Sequence, residues 1–119
     1  MTSRIFFTLF LSLILFVFVQ AQTKTQSGSW SVNQSVPGFA LDKNNGERTL
    51  TIEVRFSTPF LKKPRVFLSL VQIDASNETN LRYNIEPISI SRDGFTIKVN
   101  TWSDSKIFSM SGYWFAYSE

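Results

Sequence analysis

From Thr49 to Phe56 apolar and polar residues alternate without a break: Leu50, Ile52, Val54 and Phe56 fall on one side, Thr51, Glu53 and Arg55 on the other. A period of two belongs to a strand with one buried face and one wet face. The pattern returns at Phe95, Ile97 and Val99, which alternate with Thr96, Lys98 and Asn100. Between these two runs, Pro59 and Pro64 bracket a turn, and Val66 to Ile73 reads as a largely apolar, more deeply buried strand. The polar stretch Asp74 to Asn80 is a turn cluster. Arg82 to Ser91 predicts another strand, with Tyr83 and Ile85 on one face; Pro87 inside it argues for a bulge or a sheet edge. Arg92-Asp93-Gly94 then reads as a hairpin turn in which Asp-Gly supplies positive φ angles. Met110 to Ser118 and a short first strand, Ser27 to Val32, complete the set. No helical period appears. Short strands at this spacing, with turn signals between them, predict an all-β fold, a six-stranded antiparallel β-sandwich. Its expected core is Leu50, Ile52, Val54, Phe56, Leu68, Leu70, Phe95, Ile97, Val99 and Trp114, with Trp30 as an anchor of the first strand.

The first residues obey a different logic. Arg4 precedes an apolar run from Ile5 to Val19, and Val19-Gln20-Ala21 places small or aliphatic residues where a signal peptidase reads. Residues 1–21 are therefore expected to be a cleaved secretory signal peptide, since the run falls short of the ~20 residues that span a bilayer. The expected location is secreted or extracellular, with no membrane insertion after cleavage. The remaining chain is one small domain of roughly 100 residues. Within it, 22–48 forms a variable N-terminal strand and loop, punctuated by Pro37-Gly38 and Asn44-Asn45-Gly46, and 49–119 forms the remainder.

Composition then removes whole classes of function. With 12 basic and 9 acidic residues the formal charge is +3, and only Lys62, Lys63 and Arg65 cluster. Nucleic acid as a partner would call for a broader basic face. Cysteine is absent, so no disulfide staples the fold and no thiolate acts as ligand or nucleophile; stability must come from the core or from burial between subunits. Histidine is absent as well, which removes the usual general base near neutral pH and the commonest metal ligand. Asp74, Asp93 and Asp104 lie in turns and loops, where a carboxylate commonly hydrogen-bonds its own backbone. The expectation is a non-enzymatic protein with no catalytic residues, no metal and no cofactor. Secretion makes N-glycosylation available at the sequons that begin at Asn33 and Asn77, both in polar, loop-like sequence.

The remaining chemistry concentrates after the Phe95 strand, where Trp102 is followed by Ser103, Asp104, Ser105 and Lys106. An indole beside short polar side chains suits a shallow site for a ligand with an apolar face and a hydroxyl edge, such as a sugar. Around it stand Phe56-Ser57-Thr58-Pro59-Phe60, Pro64, Asp74, Asn80-Leu81-Arg82, Gly94-Phe95, Thr101-Trp102, Ser105-Lys106 and Trp114. In that order and spacing, over about residues 26–118, they resemble the H-type lectin domain, a family that includes snail agglutinins and the C-terminal domain of discoidin-type proteins. The resemblance implies a six-stranded sandwich assembled as a homotrimer that binds galactose or N-acetylgalactosamine in clefts between subunits. It implies sugar contacts at Arg82 and Trp102. The position after that Trp is often His in the family and is Ser103 here; a family Tyr is Phe108; a family Asp falls near Asn45. Arg82 also has Asp74 and Glu86 as candidate ion-pair partners in its own chain. The alternative is a secreted structural or adhesion protein of the same fold that binds protein rather than sugar.

Overall fold

The computed structural model describes residues 24–119, so the expected signal peptide lies outside the described residues. The strands are β1 (Thr25–Asn33), β2 (Arg48–Arg55), β3 (Arg65–Leu68), β4 (Gln72–Ala75), β5 (Asn84–Ile88), β6 (Gly94–Thr101) and β7 (Ile107–Tyr117). One antiparallel sheet has the order β1-β7-β3, with β4 also paired to β7; the other has the order β2-β6-β5. The two sheets enclose the core of an all-β sandwich, as the alternation predicted.

There are seven strands rather than six because the Val66–Ile73 run breaks in two. β3 pairs with the Trp114–Tyr117 end of β7, and β4 pairs with its Ile107–Ser111 end. Between them the chain lies close over Gly112, where an added Cβ would sit 1.7 Å from the Ser69 carbonyl oxygen. The backbone still pairs there, Ser69 N–H donating to Tyr113 O and Val71 N–H to Ser111 O. Only the regular ladder is lost. The strand expected over Arg82–Ser91 contracts to Asn84–Ile88, and Pro87 is accommodated because β5 is an edge strand. The turn after it differs in detail from the expected Asp-Gly hairpin: the positive φ is at Ser89 (52°), and Asp93 and Gly94 have none. Gly94 is required for close approach instead, since a Cβ there would meet Val54 O at 2.2 Å.

β6 is the central strand of its sheet, with Leu50 opposite Val99, Ile52 opposite Ile97 and Val54 opposite Phe95. Leu50, Phe56, Phe95, Ile97, Val99, Trp114 and Trp30 are buried as expected. Ile52, Val54 and Leu68 are only partly buried, because β2 and β3 are edge strands whose inward side chains have cover on one flank only, and Leu70 is only partly buried in the break between β3 and β4. Phe39 and Leu41 from the β1–β2 connection, Phe60 from the β2–β3 turn, Val32 of β1, Val66 of β3, and Ile107, Met110 and Ala116 of β7 complete the core. Phe56 meets Phe60 edge-on at 4.9 Å, and Phe95 meets Trp114 edge-on at 5.6 Å. This aromatic cluster fills one end of the sandwich. The other end is closed by loops.

Candidate functional site

Three connections converge where β6 passes into β7. The first is Trp102–Lys106 itself. The second, between β1 and β2, reaches it through Gly46 N–H, which donates to Ser103 O at 2.9 Å, and through Leu41 O, which accepts from Ile107 N–H at 3.0 Å. Lys106 Nζ adds hydrogen bonds to Asn44 O and to Asn45 Oδ1. The third connection, between β4 and β5, is tied by Ser76 N–H donating to Lys106 O at 2.9 Å. Arg82 N–H donates to Ser105 Oγ at 3.0 Å, and Ser105 Oγ in turn donates to Asn80 O. Thr101 Oγ1 donates to Arg82 O. Ser105 and Thr101 are fully buried, so these hydroxyls find their hydrogen-bond partners in the backbone of the β4–β5 connection and tie it to the end of β6.

On this frame Trp102 is 42% exposed, a large apolar surface left open at a loop. Arg82 Nη1 donates to Asp104 Oδ1 at 2.7 Å, with the side chains 28% and 55% exposed. The partner is Asp104 rather than Asp74 or Glu86; Glu86 instead approaches Lys98 at 4.0 Å. An ion pair this open to water contributes up to about 1 kcal/mol, so it orients the guanidinium more than it stabilises the fold. Asp104 keeps a second carboxylate oxygen for an incoming donor. Ser103 is exposed and takes a left-handed φ of 60°, a conformation also held by Asn44 (60°) and Gly46 (85°). Arg82, Trp102, Ser103 and Asn45 thus belong to one loop cluster.

Phe108 stands apart from the loops, at a β-bulge. Asp74 pairs with Ser109 and Ala75 with Ile107, leaving Phe108 unpaired between them. The extra residue shifts the phase of β7, so that Ile107 and Met110 both point into the core at 0% exposure while Phe108 remains half-buried. A bulge beside a loop cluster re-aims a side chain that strict alternation would have turned inward. Both sequon asparagines lie at this end, exposed: Asn33 opposite Ser109 at the end of β1, and Asn77 in the β4–β5 connection.

Arg48 was not legible as a participant. It is 7% exposed, and its hydrogen-bond partners among the described residues are backbone carbonyls: Gly46 O, Leu41 O, Lys43 O, Ser103 O and Ser105 O, at 2.8–3.3 Å. A charge at the head of an alternating strand reads as solvated; the one available signal was its phase, which matches Leu50 and Ile52 on the inward face.

The described residues contain no group of three or more carboxylates that could hold a metal ion. No described helix is long and apolar enough to cross a membrane.

A family model described as the H-type lectin domain matches residues 51–117, which includes Arg82, Trp102, Ser103 and Phe108. Among curated proteins the chain is 33% identical over 72 residues to a discoidin-1 polypeptide of Dictyostelium discoideum, covering 60% of this chain and 28% of that protein. It is 35% identical over 72 residues to the ATP synthase subunits region ORF 7 protein of Fuscovulum blasticum, covering 60% and 63%. The chain therefore spans under two thirds of each of these relatives. Among solved structures it is similar to recombinant discoidin II of Dictyostelium discoideum, with a TM-score of 0.70 and 23% identity over 80% of this chain and 37% of that one. That likeness is one of fold.

Proposed function

Because this chain belongs to the H-type lectin domain family, we propose that it is a secreted, non-enzymatic lectin that recognises galactose- or N-acetylgalactosamine-type glycans. The observation that carries the reading is the loop cluster: an exposed indole, Trp102, beside an oriented guanidinium, Arg82, and the small polar Ser103 and Asn45. The indole offers a flat apolar face for the CH side of a pyranose ring, while Arg82 donates to its hydroxyls or acetamido carbonyl.

Such a site is shallow and wet, so single-site affinity is low and multivalent display supplies the rest. The assembly that fits is a homotrimer with the sites in clefts between neighbours, each protomer presenting its own Trp102 and Arg82 to a cleft. The outer face of the β1-β7-β3 sheet supports association: Phe67, Tyr113 and Phe115 are 54%, 60% and 44% exposed, and Phe67 stacks on Tyr117 at 6.0 Å. An exposed aromatic face of this kind commonly marks a protein contact. With secretion, Asn33 and Asn77 would carry N-glycans at the exposed positions described above.

A second reading, the same fold binding protein instead of sugar in a structural or adhesive role, is favoured by two observations. Phe108 lacks the phenolic hydroxyl that the family uses, and Asp104 already engages Arg82. Titration calorimetry separates the two. On the lectin reading, Trp102→Ala and Arg82→Ala each abolish measurable N-acetylgalactosamine binding and leave the melting temperature unchanged, while Ser103→His with Phe108→Tyr tightens it. If neither the parent nor that double variant binds sugar, the protein-binding reading takes its place.

A further inference from the structure

A buried guanidinium normally sits against a carboxylate or another fixed anion. Arg48 instead hydrogen-bonds to backbone carbonyls contributed by two different loops: Leu41, Lys43 and Gly46 from one, Ser103 and Ser105 from the other. Converging carbonyl oxygens repel one another, and both loops contain left-handed residues, Asn44, Gly46 and Ser103, of which Ser103 pays most for the conformation. The cation makes that convergence favourable. Ser103 O is held twice, by Arg48 Nη2 at 3.0 Å and by the Gly46 amide at 2.9 Å, and Ser103 directly follows Trp102.

We propose that Arg48 is the positioning residue of the sugar site, a carbonyl-bound cation that locks the loop carrying Asn45 to the loop carrying Trp102 and Ser103 and so fixes the spacing between the two. The proposal rests on the lectin reading. It adds a requirement that exposure or charge would not suggest, because Arg48 is buried beneath the surface a ligand meets and acts through the backbone of its neighbours. Lysine keeps the charge but offers a single ammonium on a different reach; it cannot reproduce a planar fork that bonds acceptors on both sides.

The test is Arg48→Lys, with Arg55→Met, an exposed arginine of the same strand remote from these loops, as control. Amide hydrogen exchange and titration with N-acetylgalactosamine are read on the same samples. In Arg48→Lys the Gly46 amide should exchange at least tenfold faster, the Ile97 and Val99 amides of β6 should keep their protection, and sugar affinity should fall at least tenfold. Arg55→Met should match the parent in all three. Unchanged Gly46 exchange overturns the proposal, and so does faster exchange with parental affinity. If Arg48→Lys fails to fold, the parent alone decides: bound sugar must slow exchange of the Gly46 amide and of the Arg48 Nε–H that donates to Gly46 O, and no slowing overturns the proposal. A parent that binds no galactose-type sugar defeats the lectin reading, while Gly46 exchange in Arg48→Lys still shows whether Arg48 locks the loops.

Discussion

Phe95 is 3% exposed and sits between Phe56 and Trp114 at ring-centroid distances of 5.7 and 5.6 Å. Phe95→Ala would leave a cavity at the aromatic end of the core and should cost about 3–5 kcal/mol. Against a total stability of about 5–15 kcal/mol, that is enough to unfold a marginal domain, and urea or thermal denaturation measures it directly. A variant melting within about two degrees of the parent would place the ring outside the core. Residues like Phe95 were legible because alternation reports which way a strand faces. Phe39, Leu41 and Phe60 were not, because they are buried from turns and connections, where no periodicity marks the inward side. Arg48 was hidden for the opposite reason: its inward phase was visible, but a buried charge is readable only once five carbonyls are seen to converge on it. Trp102 and Arg82 came from the resemblance and from composition around a strand end, and their shared loop cluster is a consequence of the fold.

β7 shows what decides an element's fate once its sequence has made it a strand. It runs from Ile107 to Tyr117 and pairs with β1, β3 and β4, yet its inward residues are in phase only because of the bulge at Phe108. Deleting Phe108 would remove the bulge and set Ile107 directly before Ser109, so that Ile107, Ser109 and Met110 alternate in, out and in and both core residues keep their burial. Ile107→Ala, by contrast, opens a cavity at a fully buried position and should cost about 2–5 kcal/mol, read as a lower urea midpoint. A parental midpoint for Ile107→Ala would mean that the bulge does not hold Ile107 in the core. The sequence expectation began this strand at Met110, since the step from Ile107 to Met110 breaks a period of two; a bulge is invisible to a pattern that it itself interrupts. The same limit explains the missed break between β3 and β4. An apolar run such as Val66–Ile73 reads as one strand, and the close passage over Gly112 that divides it is a contact distant in sequence. Pro87 was the easier case, because a residue without an N–H restricts where in a sheet its strand can lie.

Across the whole molecule, the two ends of the sandwich and its outer faces have separate characters. The site loops occupy one end, and the outer face of the β1-β7-β3 sheet changes along its length. Toward the loops it is polar, with Gln72 Nε2 donating to Ser109 Oγ at 2.8 Å and Ser111 Oγ donating to Gln72 Oε1 at 3.2 Å. Farther away it is aromatic, with Tyr113, Phe115, Tyr117 and Phe67. If that aromatic region is the contact between protomers, Phe115→Lys should reduce the mass seen in light scattering from about three protomers to one and lower the melting temperature, because an assembly is stabilised by the burial it completes. A variant that remains trimeric would move the contact to another face. The outer face of the β2-β6-β5 sheet is mostly polar, with Thr96 Oγ1 donating to Glu53 Oε1 at 2.9 Å, and has no comparable aromatic strip.

Whether the cluster of Trp102 and Arg82 is a sugar site is decided by a glycan array probed with the protein after removal of residues 1–21, beside Trp102→Ala at the same concentration. Saturable binding should concentrate on glycans with terminal galactose or N-acetylgalactosamine, and Trp102→Ala should lose that signal while melting as the parent does. An array blank for the parent, or one on which Trp102→Ala binds as the parent does, would contradict a sugar site at this cluster.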